Sequence, residues 1–149
     1  MRGSVAYQVN EVFKEIKAIG ESKHAEKEAI RAEGAKNWHE IGKNLNIHSY
    51  ATFDKYREVA KDLMQYAKEN FGLKDITKLN ETHIKSYLEN KIAEGVKYTS
   101  FKTYTAALEK LEVALNKFTN TLNYSFSETI KEVKAEAREI LSNTQTSRA

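Results

Sequence analysis

The sequence predicts an all-α protein: a compact orthogonal helical bundle with a helical N-terminal extension. Apolar residues recur every three or four positions along most of the 149-residue chain, which is the spacing of an amphipathic helix. The chain contains no proline, the residue that disrupts helices most strongly. No segment shows the alternation of apolar and polar residues that is typical of a half-buried strand.

The first helix is predicted to begin after Ser4 and to end at Gly20. Serine is a favourable N-cap residue, and glycine commonly terminates helices. Residues 21–33 are highly charged and carry few large apolar side chains, so they predict an exposed helix. The apolar positions of the first helix are Val5, Val9, Val12, Phe13 and Ile16.

The rest of the chain predicts a short apolar stripe and four longer helices. Trp38 begins the stripe, which continues with Ile41 and Leu45, and it is a predicted core anchor because large aromatic side chains mostly bury their area. The four helices are predicted from the spacing of their apolar residues and from their caps and stops. The four helices are predicted to start at Ser49, at Asn80, near Ser100 and at Ser127. The first two are predicted to stop at Gly72 and Gly95. In the third, the residues predicted to be buried extend as far as Leu122.

The composition excludes several classes of protein and site. Without cysteine there are no disulfides, thiolate zinc sites or cysteine nucleophiles. No apolar run approaches the roughly 20 residues that span a bilayer, and the N-terminus carries no secretory signal, so a cytoplasmic protein is expected. His24 and Glu28 do not complete a metal-binding pattern, and neither a metal nor another cofactor is expected. The net charge of +3 does not by itself indicate a nucleic-acid ligand.

Two predicted helix starts lack the acidic residues that helix N-termini attract. Acids directly follow the caps of two other helices, as the helix dipole favours, whereas residues 41–53 and 95–108 contain none. Both segments are dense in hydroxyl and amine groups, which together with free backbone N–H groups bind phosphate. The alternative is that the hydroxyls only cap helices and the tyrosines only pack. The candidate phosphate-binding residues are His48, Ser49, Tyr50, Thr52, Lys55, Lys97, Tyr98, Thr99, Ser100, Lys102 and Thr103.

Residues 48–118 resemble the core-binding domain of tyrosine recombinases, the phage integrase family. A Ser-x-x-Thr pattern opens the segment at Ser49 and Thr52, with an aromatic residue four positions later at Tyr56; the proline that is common at the second place is absent. The second element is LKDITKLNETHIKSYLENKIAEG, a loop followed by a helix that ends in glycine. The third is GVKYTSFKTYTAALEKL, a hydroxyl-rich entry into a helix, with Ser100 where the family usually has threonine.

This resemblance implies a DNA-binding role in DNA integration and recombination, within a mobile element of bacterial or phage origin. In the family, the helical domain forms one half of a C-shaped clamp around the recombination site, and a C-terminal catalytic domain forms the other half. The expected partners are double-stranded DNA and other recombinase protomers, with no membrane and no small-molecule substrate. The family's catalytic residues, which include a tyrosine nucleophile, have no counterpart here, so this chain is expected to bind DNA and not to be an enzyme.

The resemblance divides the chain into three predicted parts. Residues 1–47 are the helical N-terminal extension, and residues 48–143 are the core-binding-like DNA-binding domain. Residues 144–149 are a polar tail toward an absent catalytic domain. The last helix, residues 127–142, carries acids and bases on the same surface, which suits packing or a partner surface better than DNA.

Two alternative functions stay open at the level of the sequence. Residues 38–59 also resemble a helix-turn-helix, as in a DNA-binding regulator, with Asn46 at the left-handed turn position and Ile47 in the core. The second alternative is a helical protein-interaction module that has no nucleic-acid role.

Overall fold

The computed structural model describes residues 2–19, 21–34, 37, 41–43 and 45–146, with side chains as far as residue 141. No β-strand occurs in this part of the chain, so the all-α prediction is confirmed. Predictions for Gly20, Trp38 and residues 147–149 fall outside the described residues. The helices are α1 (Val5–Phe13), α2 (Lys23–Ala32), α3 (Tyr50–Phe71), α4 (Glu81–Ala93), α5 (Tyr98–Thr119) and α6 (Ser127–Thr146), with 3-10 turns at Lys14–Ile16 and Ile76–Lys78 and a helical segment at residues 41–43.

The predicted N-caps at Ser4, Ser49 and Asn80 are confirmed. The hydroxyl of Ser49 accepts a hydrogen bond from the backbone N–H of Thr52 at 3.5 Å. Asn80 and His83 form a reciprocal capping box, in which the N–H of Asn80 donates to Nδ1 of His83 at 3.1 Å. Because His83 is buried, the pKa of its ring lies below the ordinary value, which favours the neutral form that accepts this bond.

The helix stops at Gly72 and Gly95 are also confirmed, because both residues have the positive φ of a left-handed cap, 68° and 73°. The first helix is shorter than predicted and ends at Phe13. After a single 3-10 turn, Lys17 becomes extended and forms an isolated parallel bridge with Ile47. The chain leaves the helix here because its backbone pairs with the segment that leads into α3.

One hydrophobic core includes residues from every described helix except α2. The exposed helix predicted in residues 21–33 is therefore confirmed, since α2 buries none of its residues. The N-terminal α1 belongs to the core, and its buried Gln8 ties it to the loop before α4. The Gln8 amide donates to the carbonyl of Lys74 at 2.8 Å and accepts from the N–H of Ile76 at 2.8 Å. Packing is thus continuous across the predicted boundary at residue 48, which stays a prediction.

Helix α5 lies at the centre and packs against α1, α3, α4 and α6. Near the start of α3, burial of the Tyr56 ring raises the pKa of its phenol, and the charge of nearby Glu109 raises it further. Further along α3, Tyr66 meets Tyr87 of α4 at 5.7 Å between ring centroids, and Tyr87 meets Tyr104 of α5 at 6.5 Å. The early Tyr56 of α3 thus lies near Glu109, whereas the later Tyr66 is linked through Tyr87 to the earlier Tyr104, so the two long helices run antiparallel.

The start of α6 corrects the prediction that Ser127 is its N-cap. Ser127 is the first helical residue, and the N-terminal N–H groups are capped instead by Glu112 from α5. The buried carboxylate of Glu112 accepts from the backbone N–H groups of Phe126 at 2.6 Å and Ser127 at 3.2 Å. Lys43 completes the cluster with an ion pair to Glu112 at 2.7 Å and a hydrogen bond to the Ser127 hydroxyl at 2.7 Å.

Asn120 is the only described non-glycine residue with a positive φ, at 55°. This left-handed residue ends α5 at Thr119 and leaves Leu122 outside the helix with 52 % exposure, so the prediction that Leu122 is buried is wrong. Asn46 is therefore not left-handed, so the turn position that the helix-turn-helix alternative assigned to it is wrong. Ile47 is buried as predicted, but it pairs with Lys17 as extended backbone.

Candidate nucleic-acid interface

The start of α5 is built without an acid and without a side-chain cap. Lys97 is the N-cap residue, and its side chain makes no capping hydrogen bond. The helix begins at Tyr98 rather than near Ser100, because the extended backbone of Lys97 already provides the first helical acceptor, bonded to the N–H of Phe101 at 2.9 Å. Thr99 and Ser100 therefore lie inside the first turn, where backbone N–H groups have no partner within the helix.

The side chains around this helix start face solvent on one side and the core on the other. Thr99 and Lys102 are exposed, whereas Phe101 is fully buried and fixes the helix to the core. The ammonium of Lys102 lies 5.5 Å from the ring centroid of Tyr98, which holds it close to the helix end. Thr103 is half-buried and donates its hydroxyl to the carbonyl of Thr99 at 3.3 Å. The result is a positively charged, hydroxyl-bearing surface at a positive helix end.

The start of α3 is similar in composition but differs in its surroundings. Its first turn contains no acid, Tyr50 is 65 % exposed, and Lys55 is exposed one turn later. Thr52 is half-buried beside Ser49. His48 is directed at the N-terminal part of the chain and away from solvent, as its hydrogen bonds to residues around α2 demonstrate.

The two helix starts lie at separate places along α5. Ser49 and Thr52 share an open groove of about 430 Å³ with Lys110, which lies midway along α5. Lys110 follows Tyr98 by three and a third helical turns, or roughly 18 Å at 1.5 Å per residue. The candidate residues therefore do not form a single pocket. They form two separate patches on the antiparallel pair α3 and α5.

Lys110, which lines the groove at the start of α3, makes structural contacts that the sequence did not reveal. Its ammonium donates to the backbone carbonyls of Gly42 at 2.6 Å, Lys43 at 3.0 Å and Leu45 at 2.6 Å. Burial lowers the pKa of this amine to about 8, against the opposing effect of nearby Glu26. Lys110 thus holds the segment before α3 against α5. A lysine on a helix among other charges looks solvated in the sequence, and no local pattern marks this role.

The described residues contain no cluster of three potential metal ligands, and none of their helices is long and apolar enough to cross a bilayer.

A model of the family described as phage integrase, N-terminal SAM-like domain, matches residues 44–123, which is more than half of the chain. Comparisons with curated proteins and with solved structures gave no significant match. The matched segment includes both helix starts, α4 and the capped stops between them. The chain therefore belongs to the phage integrase N-terminal SAM-like domain family.

Proposed function

We propose that this protein is the DNA-binding domain of a site-specific tyrosine recombinase, and that it clamps one face of the recombination-site duplex through phosphate and groove contacts. The observation that supports this most is the acid-free start of α5, with no side-chain cap, inside the segment that matches the family. A helix end of this kind attracts an anion because its N–H groups and its dipole are both unsatisfied. In this family, the anion available is a DNA phosphate.

At α5 the first-turn N–H groups and the hydroxyls of Thr99 and Ser100 donate to one phosphate. Lys97 and Lys102 add the positive charge, and their contacts release condensed counterions from the duplex. Thr103 lies on the same surface and meets the backbone or a base edge in the major groove. Phe101 keeps the helix in place from the core side, so binding needs no rearrangement of α5.

At α3 a second phosphate lies against Ser49, Tyr50 and Thr52, with Lys55 one turn further along. The distance of roughly 18 Å along α5 between the two patches allows the antiparallel pair to contact phosphates on both sides of a groove about 12 Å wide. These contacts position the domain on the duplex and carry little sequence information, so sequence selectivity is modest.

The proposed role is binding, and strand cleavage belongs to a catalytic domain of the parent recombinase. Phosphoryl transfer requires several positioned cations and a nucleophile around one phosphate. The two patches instead place one or two lysines and several hydroxyls at each of two separate phosphates. This arrangement can hold DNA, but it does not assemble the groups that cleavage requires.

We expect affinity for duplex DNA to fall roughly tenfold between 50 and 200 mM salt, which is the response for about two neutralised phosphates, one at each patch. The measurement is fluorescence anisotropy of a labelled duplex of arbitrary sequence, repeated with a duplex of different sequence. An affinity that does not depend on salt, or no binding at the lower salt concentration, would favour the alternative of a protein-interaction module.

A further inference from the structure

Among the residues that the structure describes, the side-chain contacts that attach helix α2 to the body of the protein are hydrogen bonds and an ion pair. None of its residues is buried, unlike those of the other described helices. Its anchor is the carboxylate of Glu26, which accepts hydrogen bonds from the backbone N–H of Asn46 and from the ring of His48, the latter at 2.7 Å. The other ring nitrogen of His48 lies 3.1 Å from the carbonyl of Glu21, just before α2.

These contacts place an anion beside the start of α3. His48 immediately precedes Ser49, the N-cap residue of that helix, and Asn46 lies three positions before it. The charge of Glu26 also reaches Lys110, because it opposes the fall in the lysine pKa that burial causes. Lys110, His48 and Ser49 line one groove, together with Lys23 from the first turn of α2. A distant part of the chain thus brings an acid close to the start of α3, at the residues that precede its N-cap.

We propose that α2 is an autoinhibitory strap, in which the Glu26 carboxylate occupies the place of a DNA phosphate at the start of α3. This inference rests on the proposed function, because the competing ligand is duplex DNA. A phosphate that reaches His48 and Ser49 must displace Glu26 from His48. Since α2 contributes nothing to the hydrophobic core, it can detach without unfolding the bundle, and its detachment frees His48 for DNA.

The test compares Glu26→Gln with Glu28→Gln in the full chain, using anisotropy of the same labelled duplex. Both variants remove one negative charge from α2, but Glu28 is exposed and its carboxylate forms an ion pair with Arg31 of its own helix. Glutamine at position 26 can still accept from the N–H of Asn46, so the local fold is retained. We expect Glu26→Gln to bind DNA about fivefold more tightly than Glu28→Gln. This ratio follows if the strap leaves the site open about one fifth of the time in Glu28→Gln and does not close it in Glu26→Gln.

Hydrogen exchange of the α2 amides provides a second measurement that does not depend on affinity. DNA should accelerate exchange in α2 of the wild type, and Glu26→Gln should accelerate it without DNA. Equal affinities of the two variants, or slower exchange in α2 when DNA binds, would overturn the strap while leaving the proposed function intact. Absence of DNA binding by the wild type and by both variants would overturn the proposed function and the strap together.

Discussion

Replacing Glu112 with alanine is expected to destabilise the fold by about 3 kcal/mol, the largest loss that a single side chain outside the apolar core should cause. The substitution removes the acceptor for the N–H groups of Phe126 and Ser127 and leaves both near the buried start of α6 without a partner. It also leaves the ammonium of Lys43 without its carboxylate at 2.7 Å. Urea unfolding followed by circular dichroism measures the change.

The control for this prediction is Glu132→Ala, which removes an exposed acid from α6 and should change stability by no more than about 0.5 kcal/mol. The loss of stability in Glu112→Gln should lie between those of the two alanine variants. The amide oxygen can still accept from the N–H of Phe126, but the ion pair with Lys43 is lost. If Glu112→Ala and Glu132→Ala were equally stable, the carboxylate would not be the cap that joins α5 to α6.

Lys102→Glu is expected to weaken binding to duplex DNA by about tenfold or more. The substitution removes one favourable phosphate contact and adds a charge that repels the phosphate. The substitution places a carboxylate beside the N–H groups of the first turn of α5, where it repels the phosphate. Its effect on folding should be small, because Lys102 is exposed and an acid near a helix N-terminus interacts favourably with the dipole. A loss of affinity with unchanged stability therefore separates a binding role from a structural one.

The matched variant is Lys131→Glu, which makes the same change of charge on the exposed surface of α6. It should leave DNA affinity nearly unchanged, because that surface carries acids and bases together. Anisotropy titrations of both variants at one salt concentration give the comparison. Equal losses of affinity would mean that net charge alone governs binding and that the start of α5 has no special role.

The sequence predicts well those features that depend on neighbouring residues. The cap at Asn80 and the left-handed stops at Gly72 and Gly95 follow from local backbone chemistry, and the structure contains all three. Errors arise where a local signal competes with a distant partner. Ser127 resembles an N-cap, yet Glu112 caps α6 from a neighbouring helix. An acid at position 112, within the apolar spacing of α5, is a signal that could have indicated a buried and paired carboxylate.

The candidate site was predictable in composition but not in arrangement. The absence of acids at two helix starts is visible in the sequence, whereas their separation along α5 depends on the antiparallel packing of α3. The contact between His48 and Glu26 joins residues 22 positions apart, and Lys110 reaches carbonyls 65 to 68 positions away. Contacts between such distant positions leave no periodic pattern, so the contacts of α2 beside the start of α3 became apparent only from the fold.

The central claim is that the starts of α5 and α3 contact the phosphates of a duplex. The most direct measurement is a titration of the ¹⁵N-labelled chain with a short duplex at low salt, followed through its amide resonances. We predict large shifts at residues 98–103 and 49–52, and in α2 if the strap detaches, with small shifts along the exposed surface of α6. Largest shifts on α6, with both helix starts unchanged, would contradict the account.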